Sequence, residues 1–333
     1  MPSLRIVNTF PLTAEALTAI AGLPGVRLLD PSDETGVSGP DLAGADVLWG
    51  ELPAGGLDRA PRLRWIARAG AGVEDLDIPD LEARGVILTN SSGLHASSMG
   101  EHVLGAMLFA FQHHAVRVER QRQRRWDPDA AWANPLRGRT LAILGYGSIG
   151  REVARLADAF GMRVLALKLR PEQRLDEGFV APGTGDPEGT IPERISGLNG
   201  LHGLLGEADV IVIALPLTAE TRGIMDRAAL AACRPDAWIV NVGRGPMIDE
   251  AALVDALRSD RLGGAYLDVF DEEPLPADHP YWDAPNLFIS PHIAGVNSYE
   301  RYWQMMGGLL EENTRRLLAG RPLLNAIDPA RSY

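Results

Sequence analysis

Short apolar runs, bounded by glycine, proline or aspartate, alternate along the chain with longer amphipathic stretches. Continuous apolar runs of this kind are typical of strands that are buried on both faces of a sheet. Strands separated by helical stretches indicate βαβ units and therefore parallel sheets. The predicted strands are Leu4–Val7, Val47–Trp49, Arg64–Ala67, Val86–Leu88, Leu141–Leu144, Val164–Leu167, Val210–Ala214, Trp238–Val242 and Leu287–Ser290.

Longer segments interrupt this alternation. A helical pattern covers about Met99–Arg125, and residues 127–140, rich in proline and small residues, indicate an extended connection. Glycine, proline and charge are concentrated in Gly178–Gly200, which is typical of an exposed loop insertion. The pattern predicts a last helix over about residues 298–318, after the final strand.

The composition is that of an ordinary globular chain, with 46% hydrophobic and 23% charged residues. A net charge of −12 argues against nucleic acid as the main partner, because a phosphate backbone would be repelled. The single cysteine, Cys233, cannot form an internal disulfide, which fits a reducing compartment. No secretory signal and no apolar run long enough to span a membrane are visible, so we expect a cytoplasmic protein without a membrane partner.

A glycine-rich turn, Gly145-Tyr-Gly147-Ser-Ile-Gly150, lies between the apolar run Leu141–Leu144 and an amphipathic helical stretch. A strand before and a helix after are the context in which this pattern binds a dinucleotide. Gly145 would permit the tight turn, Gly147 would let the backbone approach a pyrophosphate, and Gly150 would let helix and strand pack closely. The phosphates would lie at the positive end of the helix. The alternative is a glycine-rich turn without a ligand.

The residues after the next predicted strand bear on which dinucleotide binds. An acidic residue about 20 positions after the glycine motif usually accepts hydrogen bonds from the ribose. This chain instead has Leu167-Lys168-Leu169-Arg170, with Arg174 nearby. Cations without a carboxylate favour a 2′-phosphate, so we predict NADP(H) in preference to NAD(H). The alternative is that these residues are solvated loop charges and that the cofactor is NAD(H).

Three charged or titratable residues follow strands later in the chain, namely Arg244, Glu273 and His292. Ligands of open parallel sheets bind at the carboxyl ends of the strands. A guanidinium offers a planar pair of donors that matches a carboxylate. We therefore expect the three side chains to meet at one site, with Glu272 or Asp271 as the alternative acid if the loop shifts by one residue.

Arginine, glutamate and histidine in this order, each after a strand, resemble the D-isomer-specific 2-hydroxyacid dehydrogenase family. The resemblance extends over nearly the whole chain and includes Arg68-Ala-Gly70-Ala-Gly72-Val73-Glu74, His95 and Glu101-His102. It implies an oxidoreductase that moves a hydride between a nicotinamide cofactor and C2 of a small 2-oxo or 2-hydroxy acid, such as glyoxylate or hydroxypyruvate.

The resemblance also implies roles for single residues. Arg244 would bind the substrate carboxylate and polarise the 2-oxo group, His292 would be the general acid and base, and Glu273 would be the partner of His292. An ionised carboxylate beside an imidazole favours the protonated ring, which suits a proton donor. The implied substrate-binding residues are Trp49, Ala71, Gly72, Val73, Arg244 and His292.

The implied cofactor contacts come from several loops. Asp268 would hydrogen-bond the nicotinamide amide, while Leu215, Pro216 and Thr221 would line the adenosine and phosphate half. The expected cofactor-binding residues are Gly145, Tyr146, Gly147, Ser148, Ile149, Gly150, Lys168, Arg170, Leu215, Pro216, Thr221, Val242, Gly243, Arg244, Asp268, His292 and Gly295. No metal site is expected, because no metal-ligand spacing links the histidines to a cysteine or carboxylate cluster; His95, His102, His113 and His114 are expected to be non-catalytic.

The expected architecture is two doubly wound parallel-sheet α/β domains of the Rossmann and flavodoxin-like kind, with the substrate in a cleft between them. Residues 1–98 plus 292–333 would form the substrate domain, and residues 99–291 the dinucleotide-binding domain. Closure would exclude water from the hydride path. The Met99–Thr140 region resembles the dimerisation element of the family, which predicts a homodimer.

Three other functions fit the same fold. A formate dehydrogenase has glutamine as the partner of its histidine, where this chain has Glu273. A co-repressor that senses NAD(H) would carry peptide-binding tails, and a phosphoglycerate dehydrogenase a regulatory domain; we expect neither, since the chain ends soon after its last predicted helix. Met99-Gly100 also departs from the family's usual crossover, which leaves the hinge geometry open.

Overall fold

Two separate parallel sheets, each flanked by helices, confirm the predicted α/β class. The structure is a computed structural model that describes residues 3–29, 42–53, 55–70, 72–73, 76–130, 132–295 and 299–329. Numbered along the chain, the strands are β1 Leu4–Asn8, β2 Val26–Leu29, β3 Val47–Trp49, β4 Trp65–Ala67, β5 Ile87–Thr89, β6 Thr140–Leu144, β7 Arg163–Leu167, β8 Arg194–Ser196, β9 Val210–Ile213, β10 Trp238–Asn241, β11 Gly264–Leu267 and β12 Leu287–Ile289.

Helices connect most of the consecutive strands, as parallel pairing requires. Several begin where an aspartate or threonine side chain accepts a hydrogen bond from the first turn, as Asp226 and Asp249 do. The helices are α1 Ala14–Ala21, α2 Gly56–Arg59, α3 Ile78–Ala83, α4 Ala96–Phe111, α5 His114–Arg122, α6 Ser148–Ala159, α7 Leu201–Glu207, α8 Arg227–Ala232, α9 Glu250–Arg258 and α10 Tyr299–Leu318.

The chain divides into two compact units. The first comprises Met1–His95, Glu177–Ala181 and Asn297–Tyr333, and the second comprises Ala96–Asp176 and Pro182–Val296. The predicted boundaries differ from these units at three places, because 96–98 and 292–296 cluster with the second unit and 177–181 with the first. The expected cleft between domains stays a prediction.

The first unit contains a sheet with the strand order β2-β1-β3-β4-β5, and the second a sheet with the order β12-β11-β10-β9-β6-β7-β8. All strand pairs in both sheets are parallel. The central strands β6 and β9 are buried along their whole length, which explains their uninterrupted apolar sequences. In the second sheet β10, β11 and β12 are neighbours, so their carboxyl ends lie at the same edge.

Three strands are missing from the predicted strands: β2 and β8, which lie at sheet edges, and β11, which lies between β10 and β12 and begins with a glycine. The strand β2 reads Val-Arg-Leu-Leu and is only partly buried, and β8 reads Arg-Ile-Ser. Edge strands have one solvated side and tolerate charged residues, so they lack the continuous apolar run used to find the others. The segment Gly178–Gly200, expected as a loop, contains the strand β8 and a short 3-10 helix, Leu198–Gly200.

The helix predicted over Met99–Arg125 is two helices. The chain breaks at His113, which adopts the left-handed conformation with φ of 52° and precedes α5. A histidine in this conformation is uncommon, and no glycine or proline marks the break in the sequence. Among the described residues, no helix combines the length and the apolar surface needed to cross a membrane.

The insertion after β7 is fastened to the glycine-rich turn by three buried side chains, here called the insertion clasp: Tyr146, Arg151 and Asp186. The Tyr146 hydroxyl donates to the Asp186 carboxylate at 2.5 Å, and the Arg151 guanidinium donates to the backbone carbonyl groups of Asp186 and Arg174. The guanidinium also lies 4.8 Å from the centre of the Tyr146 ring.

The clasp holds its carboxylate charged. Burial raises the pKa of Asp186, but hydrogen bonds from Tyr146 and from the backbone N–H groups of Ile191 and Thr190 outweigh burial and hold the pKa below its ordinary value. A buried carboxylate with this many donors is a rigid connection. The sequence analysis did not anticipate this connection.

Candidate active site

Three predicted side chains meet at one edge of the seven-stranded sheet. Arg244 lies just after β10, Glu273 follows β11, and His292 follows β12. Because these strands are adjacent and parallel, their carboxyl ends deliver the three side chains to one place. The positive charge of Arg244 is close enough to lower the pKa of Glu273.

Glu273 and His292 form a direct pair. The imidazole Nδ1 of His292 lies 2.6 Å from Oε2 of Glu273, and Oε1 of Glu273 accepts the backbone N–H of Phe270 at 2.9 Å. Burial raises the pKa of Glu273, but the hydrogen bonds from His292 and Phe270 outweigh it, so the pKa lies below its ordinary value. Of the three acids considered from the sequence, Glu273 is the one that contacts the histidine.

The turn that carries His292 is held by a buried carboxylate. Asp268 is 1% exposed, and its Oδ1 accepts the Ser290 hydroxyl at 2.6 Å and the Ile293 N–H at 3.0 Å. Its Oδ2 accepts the Ala294 N–H at 2.9 Å. His292 has a φ of 53°, a left-handed conformation that costs a non-glycine residue about 1–3 kcal/mol and persists only where its surroundings fix it.

These contacts give the Asp268 side chain a structural role that the sequence analysis did not assign to it. The sequence analysis assigned its side chain to the nicotinamide amide, whereas the structure gives it three hydrogen bonds within the chain. Its observed task is to shape the loop of the histidine. Contact with the nicotinamide stays a prediction.

The Arg244 loop is shaped in a similar way by Asn241, which is 1% exposed. The Asn241 side chain accepts the Gly243 N–H at 3.0 Å and donates to the Arg244 carbonyl at 3.1 Å. The half-buried Arg244 side chain donates to the Gly243 carbonyl at 2.9 Å. The sequence analysis missed Asn241 as a residue that shapes the site, although an asparagine at the end of a strand, two residues before a glycine, is a recognisable turn former.

The glycine-rich turn has the shape that a pyrophosphate requires. A Cβ on Gly145 would lie 2.5 Å from the Ala214 carbonyl oxygen, and a Cβ on Gly150 would lie 2.1 Å from the Gly145 carbonyl oxygen. A Cβ on Gly147 would meet no described atom within 4 Å, so this side of the turn is open to an approaching group. Gly147 precedes α6 and has no side chain that could cap the helix, and the N-terminus of a helix is a favourable position for an anion. The residues present therefore fit a bound dinucleotide.

The two basic residues after β7 are placed differently. The Lys168 ammonium donates to the backbone carbonyl of Gln173, and Lys168 is partly buried. Arg170 is exposed. Of the two, Arg170 is therefore the more accessible to a 2′-phosphate.

The remaining predicted cofactor residues lie around the same sheet edge. Thr221 is fully buried, and its hydroxyl donates to the Pro216 carbonyl at 2.6 Å, so it shapes the turn after β9. Tyr146 directs its hydroxyl to the insertion clasp. Leu215 and Val242 are buried in the apolar core, so only their backbone atoms are suited to reach a ligand. Ser148, Ile149, Gly243 and Gly295 are described, and their cofactor contacts stay predictions.

The predicted substrate-binding residues of the first unit are only partly described. Ala71 lies outside the described residues, as does Glu74, while Gly72 and Val73 follow β4. Trp49 is fully buried and packs edge-on against Trp65, with ring centres 6.1 Å apart. This burial argues against the predicted contact between the Trp49 indole and the substrate.

Within the described residues, no group of three or more histidine, cysteine or acidic side chains is arranged to hold a metal ion. The groups that the site brings together are the guanidinium of Arg244, the imidazole of His292 and the carboxylate of Glu273. Acid and base work at an imidazole, together with a cation that binds a carboxylate, suits the reduction of a 2-oxo acid or its reversal.

Comparison with known proteins identifies relatives of this chain. A family model described as "D-isomer specific 2-hydroxyacid dehydrogenase, NAD binding domain" matches residues 104–294. The chain is 33% identical over 297 residues to the glyoxylate/hydroxypyruvate reductase B of Pectobacterium atrosepticum. The matched region covers 87% of this chain and 88% of that protein.

The chain also matches a phosphoglycerate dehydrogenase and a solved structure of a 2-hydroxyacid dehydrogenase. The chain is 34% identical over 272 residues to the D-3-phosphoglycerate dehydrogenase of Mycobacterium leprae. The matched region covers 82% of this chain and 48% of the relative, so this chain spans about half of that protein. A crystal structure of a D-isomer specific 2-hydroxyacid dehydrogenase from Xanthobacter autotrophicus Py2, in complex with NADPH and MES, matches with a TM-score of 0.78 and 29% identity. That match covers 99% of this chain and 100% of the other.

The pair of Glu273 and His292 generates a prediction about stability. The folded pKa of Glu273 is lowered, so the pair stabilises the fold above the ordinary value of 4.5 and loses this effect as the pH falls through the lowered value. Glu273→Gln should therefore lower the free energy of unfolding by about 1 kcal/mol at pH 6, a figure reduced for the partial exposure of both groups, and by less at pH 3. Denaturant titration at both pH values measures this difference.

The matched control is Glu272→Gln, because this neighbouring acid is exposed. It should leave the free energy of unfolding unchanged at both pH values. A loss for Glu273→Gln that is equal at pH 6 and pH 3 would show that the ion pair is not its source.

Proposed function

We propose that this chain, which belongs to the D-isomer specific 2-hydroxyacid dehydrogenase family, reduces small 2-oxo acids to 2-hydroxy acids with NADPH. The observation that carries the proposal is the convergence of Arg244, Glu273 and His292 at three adjacent strand ends. We assign dinucleotide binding to the second unit, which contains the glycine-rich turn, and part of substrate binding to the first.

Arg244 binds the carboxylate of the substrate and polarises its 2-oxo group, because a guanidinium offers parallel donors to both oxygens. The bound nicotinamide supplies the hydride that C2 receives. As charge grows on the former carbonyl oxygen, the cation of Arg244 stabilises it. The product is the 2-hydroxy acid.

His292 supplies the proton that the oxygen takes up. Its Nδ1 is engaged by the Glu273 carboxylate, so Nε2 is the atom that faces the reaction. Glu273 fixes this orientation through its contact with Nδ1, so that Nε2 is the atom placed to give the proton. In the oxidative direction the neutral imidazole takes the proton back at the same atom.

The names of the relatives support glyoxylate and hydroxypyruvate as substrates. D-3-phosphoglycerate is the second candidate, because the chain is about one third identical to phosphoglycerate dehydrogenases. NADPH is supported by the cations Lys168 and Arg170 after β7 and by the NADPH in the Xanthobacter structure. A cytoplasmic location and the lack of a nucleic-acid partner stay predictions from composition.

A homodimer through the Met99–Thr140 region is part of the proposal. This region includes the exposed helix α5 and two exposed indoles, Trp126 at 97% and Trp132 at 74% exposure. Large apolar side chains exposed to this extent are typical of an association surface.

The activity is tested with a panel of glyoxylate, hydroxypyruvate and larger 2-oxo acids, followed by the absorbance of NADPH. Arg244→Ala and His292→Ala should each lower kcat/KM by roughly 1,000-fold or more, because each removes a group that acts on the reacting oxygen. Oxidation of D-3-phosphoglycerate is measured in parallel. Near-normal reduction by His292→Ala would refute the acid/base assignment.

The cofactor preference is tested by measuring dissociation constants for NADPH and NADH. Arg170→Ala should weaken NADPH binding about tenfold or more and leave NADH binding unchanged, since one charged contact to phosphate is lost. Lys168→Asp combined with Arg170→Ala should enlarge the difference. Arg258→Ala, an exposed arginine on α9, is the control, and equal weakening for both cofactors would exclude a phosphate site here.

The oligomeric state is tested by sedimentation. The wild-type chain should sediment with twice the mass of one chain, and Trp126→Ser combined with Trp132→Ser should shift it toward a single chain, because apolar burial would be lost. Trp282→Ser, which removes an indole that is 52% exposed and lies outside this region, is the control. A wild-type protein of single-chain mass would end the dimer proposal.

A further inference from the structure

We propose that His102 is a positioning residue, which acts through Ser290 and Asp268 to hold the turn of His292. The inference rests on the proposed function, because it concerns the placement of the acid/base group. The sequence analysis took His102 as non-catalytic, and it does not touch the reacting groups. Its importance lies in the chain of hydrogen bonds that begins at its ring.

One face of α4 contacts the histidine turn at both ends. Ser98 and His102 are one helical turn apart and therefore lie on the same face. The Ser98 hydroxyl donates to the Ala294 carbonyl at 3.0 Å, and Nε2 of His102 lies 3.3 Å from the Ser290 hydroxyl oxygen. Residues 290 and 294 flank His292, so α4 braces the turn before and after it.

The direction of the hydrogen bonds follows from the number of available protons. The Ser290 hydroxyl carries one hydrogen, and it lies 2.6 Å from the Asp268 carboxylate, which can only accept. Its oxygen must therefore accept from His102, so Nε2 of His102 carries a hydrogen. The series runs from His102 to Ser290 and then to Asp268.

The last member of the series touches the backbone of the catalytic turn. Asp268 accepts the N–H groups of Ile293 and Ala294, and its backbone carbonyl accepts the N–H of His292 at 2.9 Å. These bonds fix the chain on both sides of a histidine in the left-handed conformation. The direction of the imidazole, and thus the position of Nε2, depends on them.

His102 is itself held in place. Its side chain is 17% exposed, and its ring packs edge-on against Tyr266 of β11 with the centres 5.5 Å apart. Loss of its N–H would leave the Ser290 oxygen without this donor and free the hydroxyl to turn from Asp268. The Asp268 carboxylate would then hold the turn with fewer bonds.

The first test asks whether His102 holds the turn of His292, independently of the reaction. Hydrogen exchange of the Ile293 and Ala294 amides is measured in the wild type, in His102→Leu and in His102→Gln. His102→Leu should accelerate exchange at these amides about tenfold, because their acceptor is less firmly held. His102→Gln, which keeps an N–H donor, should stay within about threefold of the wild type.

Kinetics give the second readout. In His102→Leu, kcat should fall roughly 10- to 100-fold with the KM for the 2-oxo acid and the dissociation constant for NADPH nearly unchanged, since the acid is misplaced and not removed. His102→Gln should restore most of kcat. His202→Leu, at an exposed histidine of α7, is the matched control and should change none of these quantities.

Each outcome bears on one claim. Unchanged amide exchange in His102→Leu would show that His102 does not hold the turn. A nitrogen NMR spectrum of the wild type with the His102 hydrogen on Nδ1 alone would show the same, and this measurement does not depend on the folding of any variant. Faster exchange with an unchanged kcat would overturn the positioning role. If the wild type reduces no 2-oxo acid, the proposed function fails, while the amide exchange still decides whether His102 holds the turn.

Discussion

The buried carboxylate of Asp268 is the interaction on which the geometry of the site depends. A carboxylate removed from water needs donors, and here they come from a hydroxyl and from two backbone N–H groups beside His292. The backbone N–H of Asp268 also donates to the carbonyl of Asn241, whose side chain shapes the Arg244 loop. Three loops that follow three strands are thus connected through one residue.

The fold could be predicted where burial imposes a simple pattern. The strands β6 and β9 are enclosed on both faces and read as apolar runs, so they were found from the sequence. The strands β2 and β8 lie at edges, where charged residues are tolerated, and they were missed. The break before α5 was missed because His113 takes a positive φ without a glycine or proline to signal it.

The site could be predicted as far as strand ends and residue types allow. Arg244, Glu273 and His292 each follow a strand, and adjacent parallel strands bring such residues together. Their supports were not visible, because the contact between His102 and Ser290 joins residues that are 188 positions apart. The spacing of Ser98 and His102 shows only that two polar side chains share a helix face. What that face touches depends on tertiary packing.

The insertion clasp has a consequence for protein engineering. Tyr146 belongs to the glycine-rich turn, yet its hydroxyl is held by Asp186, 40 residues later, while Lys168 and Arg170 lie between the two. A chimera that exchanges the segment after β7 for that of an NADH-preferring homologue would also remove the acceptor of the tyrosine. Grafts of this kind should therefore carry both partners of the clasp or neither, so that the turn keeps its shape while its selectivity changes.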